Sequence, residues 1–452
     1  MLGRSQIHTR LGNRRQQIQQ QQQSFRTSSW SSASSISSLT EYLHQLGDAL
    51  LQYDWDYAAE AARLLSVRDD HTEHRFLWLR EADQSAVRRV IPAPFDALTA
   101  LHLRVLHFLS DGNYDDAYKT QTQLVQVFIK ECLQSKKMQE NNWFMPLCYR
   151  LCADVRLIGK AADHYRSESE DVAEGGESSE QSSSSYEHSA TVIMDCYRAC
   201  VADSRCAMEN QKRVGLLNLT NQLFRVYFRI NKLNLLTPLI RAIENCGNLW
   251  DHFCMADKVT YKYYIGRKAM FDSRLKDAET ALMYAFRNCG DQSYRNRRLI
   301  LIYLVPVKMF LGHMPSVQLL QDHNLMEFAD IADAVKTGNL PALDEALDKH
   351  ESFFIRCGIF LMLEKLKVIT YLTLFKKVCR ILGTHQISLD AFLTTLKFMK
   401  IDDVDLDEVA CIVANLIYQG RIKGYISHQH QKLVISKQNP FPPLSSVATE
   451  VI

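Results

Sequence analysis

The chain has 452 residues, of which 46% are hydrophobic and 10% aromatic. That is material for several domains of about 150 residues and for a large core, so wholesale disorder is excluded. Its 53 Lys and Arg nearly cancel its 51 Asp and Glu, leaving a formal charge of +2. The molecule is no polycation, and any nucleic-acid role has to come from a local concentration of charge.

Only 17 Gly and 10 Pro in this length argue against an all-β fold and against a Gly-rich nucleotide-binding enzyme. The composition points to helices. No apolar run reaches the roughly 18–20 residues that a membrane helix needs. The longest candidates, Leu299–Phe310 and Phe353–Leu363, are broken by Pro306 and Lys308 or by Arg356. The N-terminus has arginines but no apolar stretch of the signal-peptide kind, so a soluble intracellular protein is expected. Twelve cysteines include no Cys-x-x-Cys pair. Cys148/Cys152 and Cys196/Cys200 are four apart, which on a helix stacks small apolar groups on one face. Reduced, buried thiols are expected, and neither metal nor cofactor.

Residues 1–40 form a leader with eight Gln, a Ser-rich run, five Arg and no acid. It cannot bury a core and is expected to be disordered. From Leu43 onward the pattern is helical, and residues 41–208 are read as N-terminal helical repeats. A Ser-rich acidic island at 167–189 interrupts them as a flexible insertion. Three polar turns share one design: Tyr53–Ala59, Asp111–Ala117 and Phe271–Ala278 each lead through an aromatic or aliphatic residue to small residues opening a helix. Gly266, Ala278, Leu282 and Ala285 sit at the spacings of a tetratricopeptide-like unit, where small residues let antiparallel helices approach closely. Further helices are read at 209–230, 234–246, 256–271, 276–288, 294–311, 325–337 and 341–349, with a kink at Pro306. Residues 209–365 form a second helical part.

From 366 to 437 the grammar changes. Ile369–Leu382 and Ser388–Met399 read as two amphipathic helices. Asp405 caps a third that runs to Tyr418, with Val409, Ile412, Val413, Leu416 and Ile417 on its apolar face and Gly420 after it. Arg421–Ser427 and Gln431–Ser436 then alternate as strands about a His428–His430 turn. Three helices and a β-hairpin make a winged helix. The Pro-rich segment within 438–452 is expected to be extended and to leave the domain. The predicted fold class is therefore all-α: an α-solenoid of helical repeats ending in a winged-helix subdomain with a small hairpin.

That plan resembles the PCI domain, shared by the proteasome lid, the COP9 signalosome and an initiation-factor complex. VTYKYYIGRKAMFD (259–272), LVPVKMFLGHMPS (304–316), FFIRCGIFLMLEKLK (353–367) and NLIYQGRIKGYISHQHQKLVISKQNPFPPL (415–444) resemble the Thp-type line of that family. The resemblance spans roughly 41–444; the leader and the acidic island depart from the family pattern. It implies a nuclear, pore-associated subunit of a transcription-and-export complex that serves mRNA export. It also implies a hetero-oligomer with a Sac/GANP-type PCI scaffold and a small acidic Sem/DSS-type protein, and no membrane contact.

The residues offer little catalysis: no Walker-type loop, no His-Glu-x-x-His and no Gly-x-Ser-x-Gly. No enzyme is expected. The constellation that stands out is basic. Between Glu408 and Glu450 there is no acid, while Arg421, Lys423, Lys432 and Lys437 lie in the interval. Arg421, Lys423 and Tyr425 fall on one face of a regular strand, and Lys397 and Lys400 close the preceding helix. Cations on a rigid support with an aromatic nearby suit phosphates and bases. From the residues alone, lysines guarding an exposed sheet edge serve equally well. The resemblance favours RNA or DNA, because paired winged helices form a nucleic-acid surface in that family. The rival is a purely structural PCI subunit of a lid-like or signalosome-like assembly. In the solenoid, Lys262 and Arg267 are expected to point outward, towards an acidic partner peptide.

Overall fold

A computed structural model describes residues 36–79, 87–135, 138, 142–172, 184–203, 211–401 and 403–446. The leader expectation falls almost wholly on residues outside that set. The chain divides into two units, one ending at Lys212 and the other starting at Arg213.

In the first unit the longer helices are α1 (Leu39–Leu51), α2 (Trp55–Leu64), α3 (Phe95–Ser110), α4 (Tyr114–Phe128), α5 (Met145–Val172) and α6 (Ser185–Val201). Successive helices α3 to α6 pack on their neighbours, and α2 packs on α5. The polar turns open helices as expected. The Asp54 side chain accepts from the Asp56 N–H at the start of α2, and Asn113 Oδ1 accepts from the Asp116 N–H, 3.2 Å, at the start of α4. Each satisfies a backbone donor that the first turn leaves unpaired. The two ends of the stretch read as a flexible insertion are helical: α5 runs to Val172, and the Ser184 hydroxyl accepts from the Glu187 N–H to cap α6, while residues 173–183 lie outside the described set.

The second unit continues the helical array with α7 (Leu216–Arg229), α8 (Leu236–Glu244), α9 (Met255–Phe271), α10 (Leu275–Asn288), α11 (Tyr294–Phe310), α12 (Glu327–Thr337) and α13 (Leu340–Lys349). Helix α11 continues through Pro306 without ending. Helices α9 and α10 approach closely at Gly266. A Cβ on Gly266 would lie 2.5 Å from Leu282 Cγ and 3.2 Å from the Leu282 nitrogen, so only glycine fits there. Four-residue to seven-residue helices at Leu249–His252, Val317–Asp322, Glu351–Cys357 and Phe360–Glu364 were not read from the sequence.

The winged helix follows: α14 (Lys367–Leu382), β1 (Gln386–Ser388), α15 (Leu389–Phe398), α16 (Leu406–Tyr418), β2 (Gly424–Ser427) and β3 (Lys432–Ile435). The hairpin is in fact part of a three-stranded antiparallel sheet in the order β1-β3-β2. Ile387, Leu433 and Ile435 point from it into a core with Phe375, Phe392 and Val413. The Pro-rich segment, described as far as Ser446, does not leave the domain. Pro440 O accepts from the Lys423 N–H at 2.8 Å, and Phe441 packs on the winged-helix core under Lys376. Leu444 packs against both this core and the helical-array core, reaching Gly312. Apolar groups at 441 and 444 gain more from this burial than from solvated extension.

Candidate nucleic-acid interface

The third helix positions the hairpin. Asp405 Oδ1 accepts from the Glu408 N–H at 2.8 Å and starts α16, and Gly420, with φ of 70°, ends it. The chain then wraps back on the helix end: the N–H groups of Arg421 and Ile422 both donate to Leu416 O, at 2.9 and 3.2 Å. Arg421 therefore belongs to the helix cap, not to a strand. It is only 4% exposed; Nε donates to Gln419 Oε1 at 2.8 Å, and Nη1 is buried without a partner. Burial lowers the pKa of its guanidinium below the ordinary value. The expectation that Arg421 and Lys423 share a solvent face with Tyr425 is corrected on this point: Arg421 is withdrawn from phosphate.

Lys423 stays on the surface. The Ser436 N–H donates to Lys423 O at 2.8 Å, so the β2–β3 ladder continues one residue before Gly424. A Cβ at Gly424 would meet Val434 O at 2.3 Å, which explains why a glycine stands at this tight crossing. Lys432, at the start of β3, and Lys437, just beyond β3, are exposed, as are Lys397 and Lys400 at and after the end of α15. None of these five lysines forms a salt bridge among the described residues. Pairing gives Ser427↔Lys432↔Ser388 and Tyr425↔Val434↔Gln386 across the three strands. The solvent face of the sheet thus has no carboxylate.

Sequence reasoning missed two exposed aromatics of the winged helix. Phe398 is 87% exposed next to Lys397, and Tyr418 is 81% exposed at the end of α16. A signal was available for the first: the apolar stripe of α15 is Leu389, Phe392 and Leu396, and position 398 lies off it.

In the helical array, Lys262 is half-buried, its ammonium 5.3 Å from the Trp250 ring and 5.9 Å from the Tyr284 ring. Arg267 is not the outward cation expected. Its guanidinium lies 4.5 Å from the centroids of both Phe228 and Tyr303, with Tyr263 and Tyr264 also close, and Nε is buried without a partner. Cation–π attraction to four rings stabilises it inside the array. The same unit has an open apolar groove of about 590 Å³ beside Phe271, Phe310, Ile355 and Leu361, the last 72% exposed.

The cysteines stack as their spacing implies, and the stacking is tight. The sulfurs of Cys148, Cys152 and Cys196 lie within 4.8 Å of one another, fully enclosed between α5 and α6. Hydrogen bonds from Cys148 and Cys152 lower the pKa of the Cys196 thiol, while the thiols of Cys148 and Cys152 are raised. Three thiols are a soft donor set, but no fourth ligand atom joins them among the described residues, whereas structural zinc takes four. No helix among the described residues is long and apolar enough to cross a membrane.

Comparison with known proteins gives a consistent picture. The PCI domain family model matches residues 347–437. The chain is 49% identical over 418 residues to the PCI domain-containing protein 2 homolog of Caenorhabditis elegans, covering 92% of this chain and 99% of that one. It is 49% identical over 409 residues to PCI domain-containing protein 2 of Xenopus laevis, covering 90% and 98%. A more distant relative is the CSN12 homolog of Mycosarcoma maydis, 29% identical over 357 residues and covering 75% and 77%.

Proposed function

We propose that this chain, which belongs to the PCI domain-containing protein 2 family, is a non-catalytic adaptor subunit of a nuclear mRNA-export complex. Its PCI domain pairs with a second PCI protein of the Sac/GANP type, a small acidic Sem/DSS-type protein lies on its helices, and its winged helix contributes a basic surface for RNA or DNA. The observation that carries the nucleic-acid part is the acid-free outer sheet face, where Lys423 and Lys432 are exposed without carboxylate partners; Lys437, just beyond β3, and Lys400, after α15, are likewise exposed and unpaired with a carboxylate. The open apolar groove on the helical array supports the docking role.

The magnitude constrains the mechanism. Four phosphate contacts on a single strand give a salt slope of roughly −3, at about −0.7 per contact. That is weak binding, so a second basic wing from the partner has to supply the avidity. The test is RNA retention by the assembled complex after Lys400→Glu, Lys423→Glu and Lys432→Glu. Retention is expected to be lost; an unchanged titration in a folded, still-assembled variant contradicts the reading. Arg421 is left out because reversing a buried charge would test folding instead.

A second reading, a purely structural PCI subunit of a lid-like or signalosome-like assembly, draws on the CSN12 name of the Mycosarcoma maydis relative. It predicts that the same triple variant changes nothing in any nucleic-acid assay, because the parent complex would not bind.

A further inference from the structure

Two faces of the winged helix are available to nucleic acid, and their chemistry differs. Duplex-reading winged helices lay the helix before the hairpin in the major groove, with its N-terminal residues against base edges and phosphates. Here that helix is α16, and its exposed positions are Asp407, Glu408, Cys411, Ala414, Asn415 and Tyr418. It has no Lys or Arg, and Asp405, Asp407 and Glu408 cluster at the end that would face the groove. Three carboxylates against phosphates repel, so α16 is unfit to read a duplex.

The sheet is the opposite case. Alternation sends Ile387 and Leu433 into the core and turns Gln386, Ser388, Lys432, Val434, Tyr425 and Ser427 outward. Because the ladder extends to Lys423, that lysine shares the outer face with Tyr425. Tyr425 is 63% exposed, and its ring and hydroxyl have no hydrogen-bond, stacking or cation–π partner among the described residues. Lys423 stands two residues along the same strand, and Lys432, paired with Ser427, is the diagonal neighbour on β3, each at the roughly 7–8 Å that strand geometry sets.

We infer that this outer sheet face is a stacking platform for single-stranded nucleic acid: an unpaired base lies on Tyr425, the flanking phosphates lie on Lys423 and Lys432, and duplex is rejected because its bases present no free face. The inference rests on the nucleic-acid reading above and adds the strand class. A base on an aromatic ring is recognised by its π-face, so the binding tolerates sequence.

The test uses the full-length chain at low salt and four fluorescent probes: a U-tract RNA and a T-tract DNA of about twelve nucleotides, and each annealed to its complement. The parent is expected to bind each single strand more tightly than its duplex. The RNA and DNA arms show which strand the platform prefers, and a preference for either over its own duplex supports the inference. Tyr425→Ala should weaken single-strand binding about tenfold, leave duplex binding unchanged and keep the salt slope, since no cation is removed. Tyr425→Trp should restore it, because stacking and not the hydroxyl is the contact. Tyr425→Ala binding single strands as the parent does, or duplexes bound as tightly as single strands, overturns the platform while leaving the basic surface intact. A parent that binds none of the four probes, either alone or in the assembled complex, overturns the underlying reading instead. An unchanged melting curve for the variants confirms that this outward side chain was removed without loss of fold.

Discussion

His102 in α3 is fully buried with neither ring nitrogen hydrogen-bonded. Burial, then repulsion from His71 and Arg150, pushes its pKa down to about 3. The folded chain therefore keeps the ring neutral, whereas the unfolded chain protonates it near the ordinary value of about 6.5. Its contribution to stability is present above 6.5 and is lost as pH falls from there towards 3, at about 1.4 kcal/mol per unit. Asp154 works in the other direction: burial raises it to about 6 despite Arg150, so it takes up a proton in the fold before the unfolded chain does. Comparing the parent with His102→Leu isolates the imidazole, since both keep Asp154. The difference in melting temperature should swing towards the variant as pH drops from 6.5 to 4.5; parallel curves would refute the assignment. At this scale the sequence read the cations of the hairpin better than those of the helical array. Lys423 and Lys432 are exposed as read, while Arg421 is buried, and Lys262 and Arg267, read as outward, are both half-buried against aromatic rings. Strand alternation assumes a strand, and Arg421 sits in a helix cap whose hydrogen bonds no residue pattern announces. Arg267 was read from its charge, but a guanidinium over aromatic rings is stable in places where an ammonium with its tighter hydration is less so.

Elements were legible in proportion to their length. Helices of ten or more residues, such as α9 to α13, carry enough turns for a 3.6-residue stripe to show. Strand β1 has three residues, too few for alternation to be visible, and it forms only because β3 offers it an edge. The tail was misread because proline content speaks for extension but not for where an extended chain lies. Two measurements address these elements. Gly266→Ala forces a methyl into Leu282 and should cost about 1–3 kcal/mol, read as a lower denaturation midpoint; an unchanged midpoint would show that α9 and α10 are not in close contact. The paired variant Phe441→Ala and Leu444→Ala removes the strap that touches both cores of the second unit. It should speed proteolysis around residues 438–446 and lower stability by roughly 1–3 kcal/mol, whereas a freely extended tail would make the substitutions silent.

Across the whole molecule the charge of +2 is a sum of separated parts: a basic leader, an acidic island and a basic wing. Near-neutrality therefore does not speak against nucleic acid; it requires the contact to be local and modest. The fold was legible because helical periodicity and a helix–helix–helix–hairpin ending are properties of long stretches. The site was legible only in part, because three-dimensional exposure separates Lys423 from Arg421 and brings β1 beside β3. The most direct test of the central claim is the salt dependence of U-tract RNA binding by the complex, for the parent and for the Lys400→Glu, Lys423→Glu and Lys432→Glu variant. The account predicts a plot of log K against log salt that is less steep by about 2 in the variant, from three lost contacts at about 0.7 each. The same slope in both, with the complex folded and assembled, would contradict it.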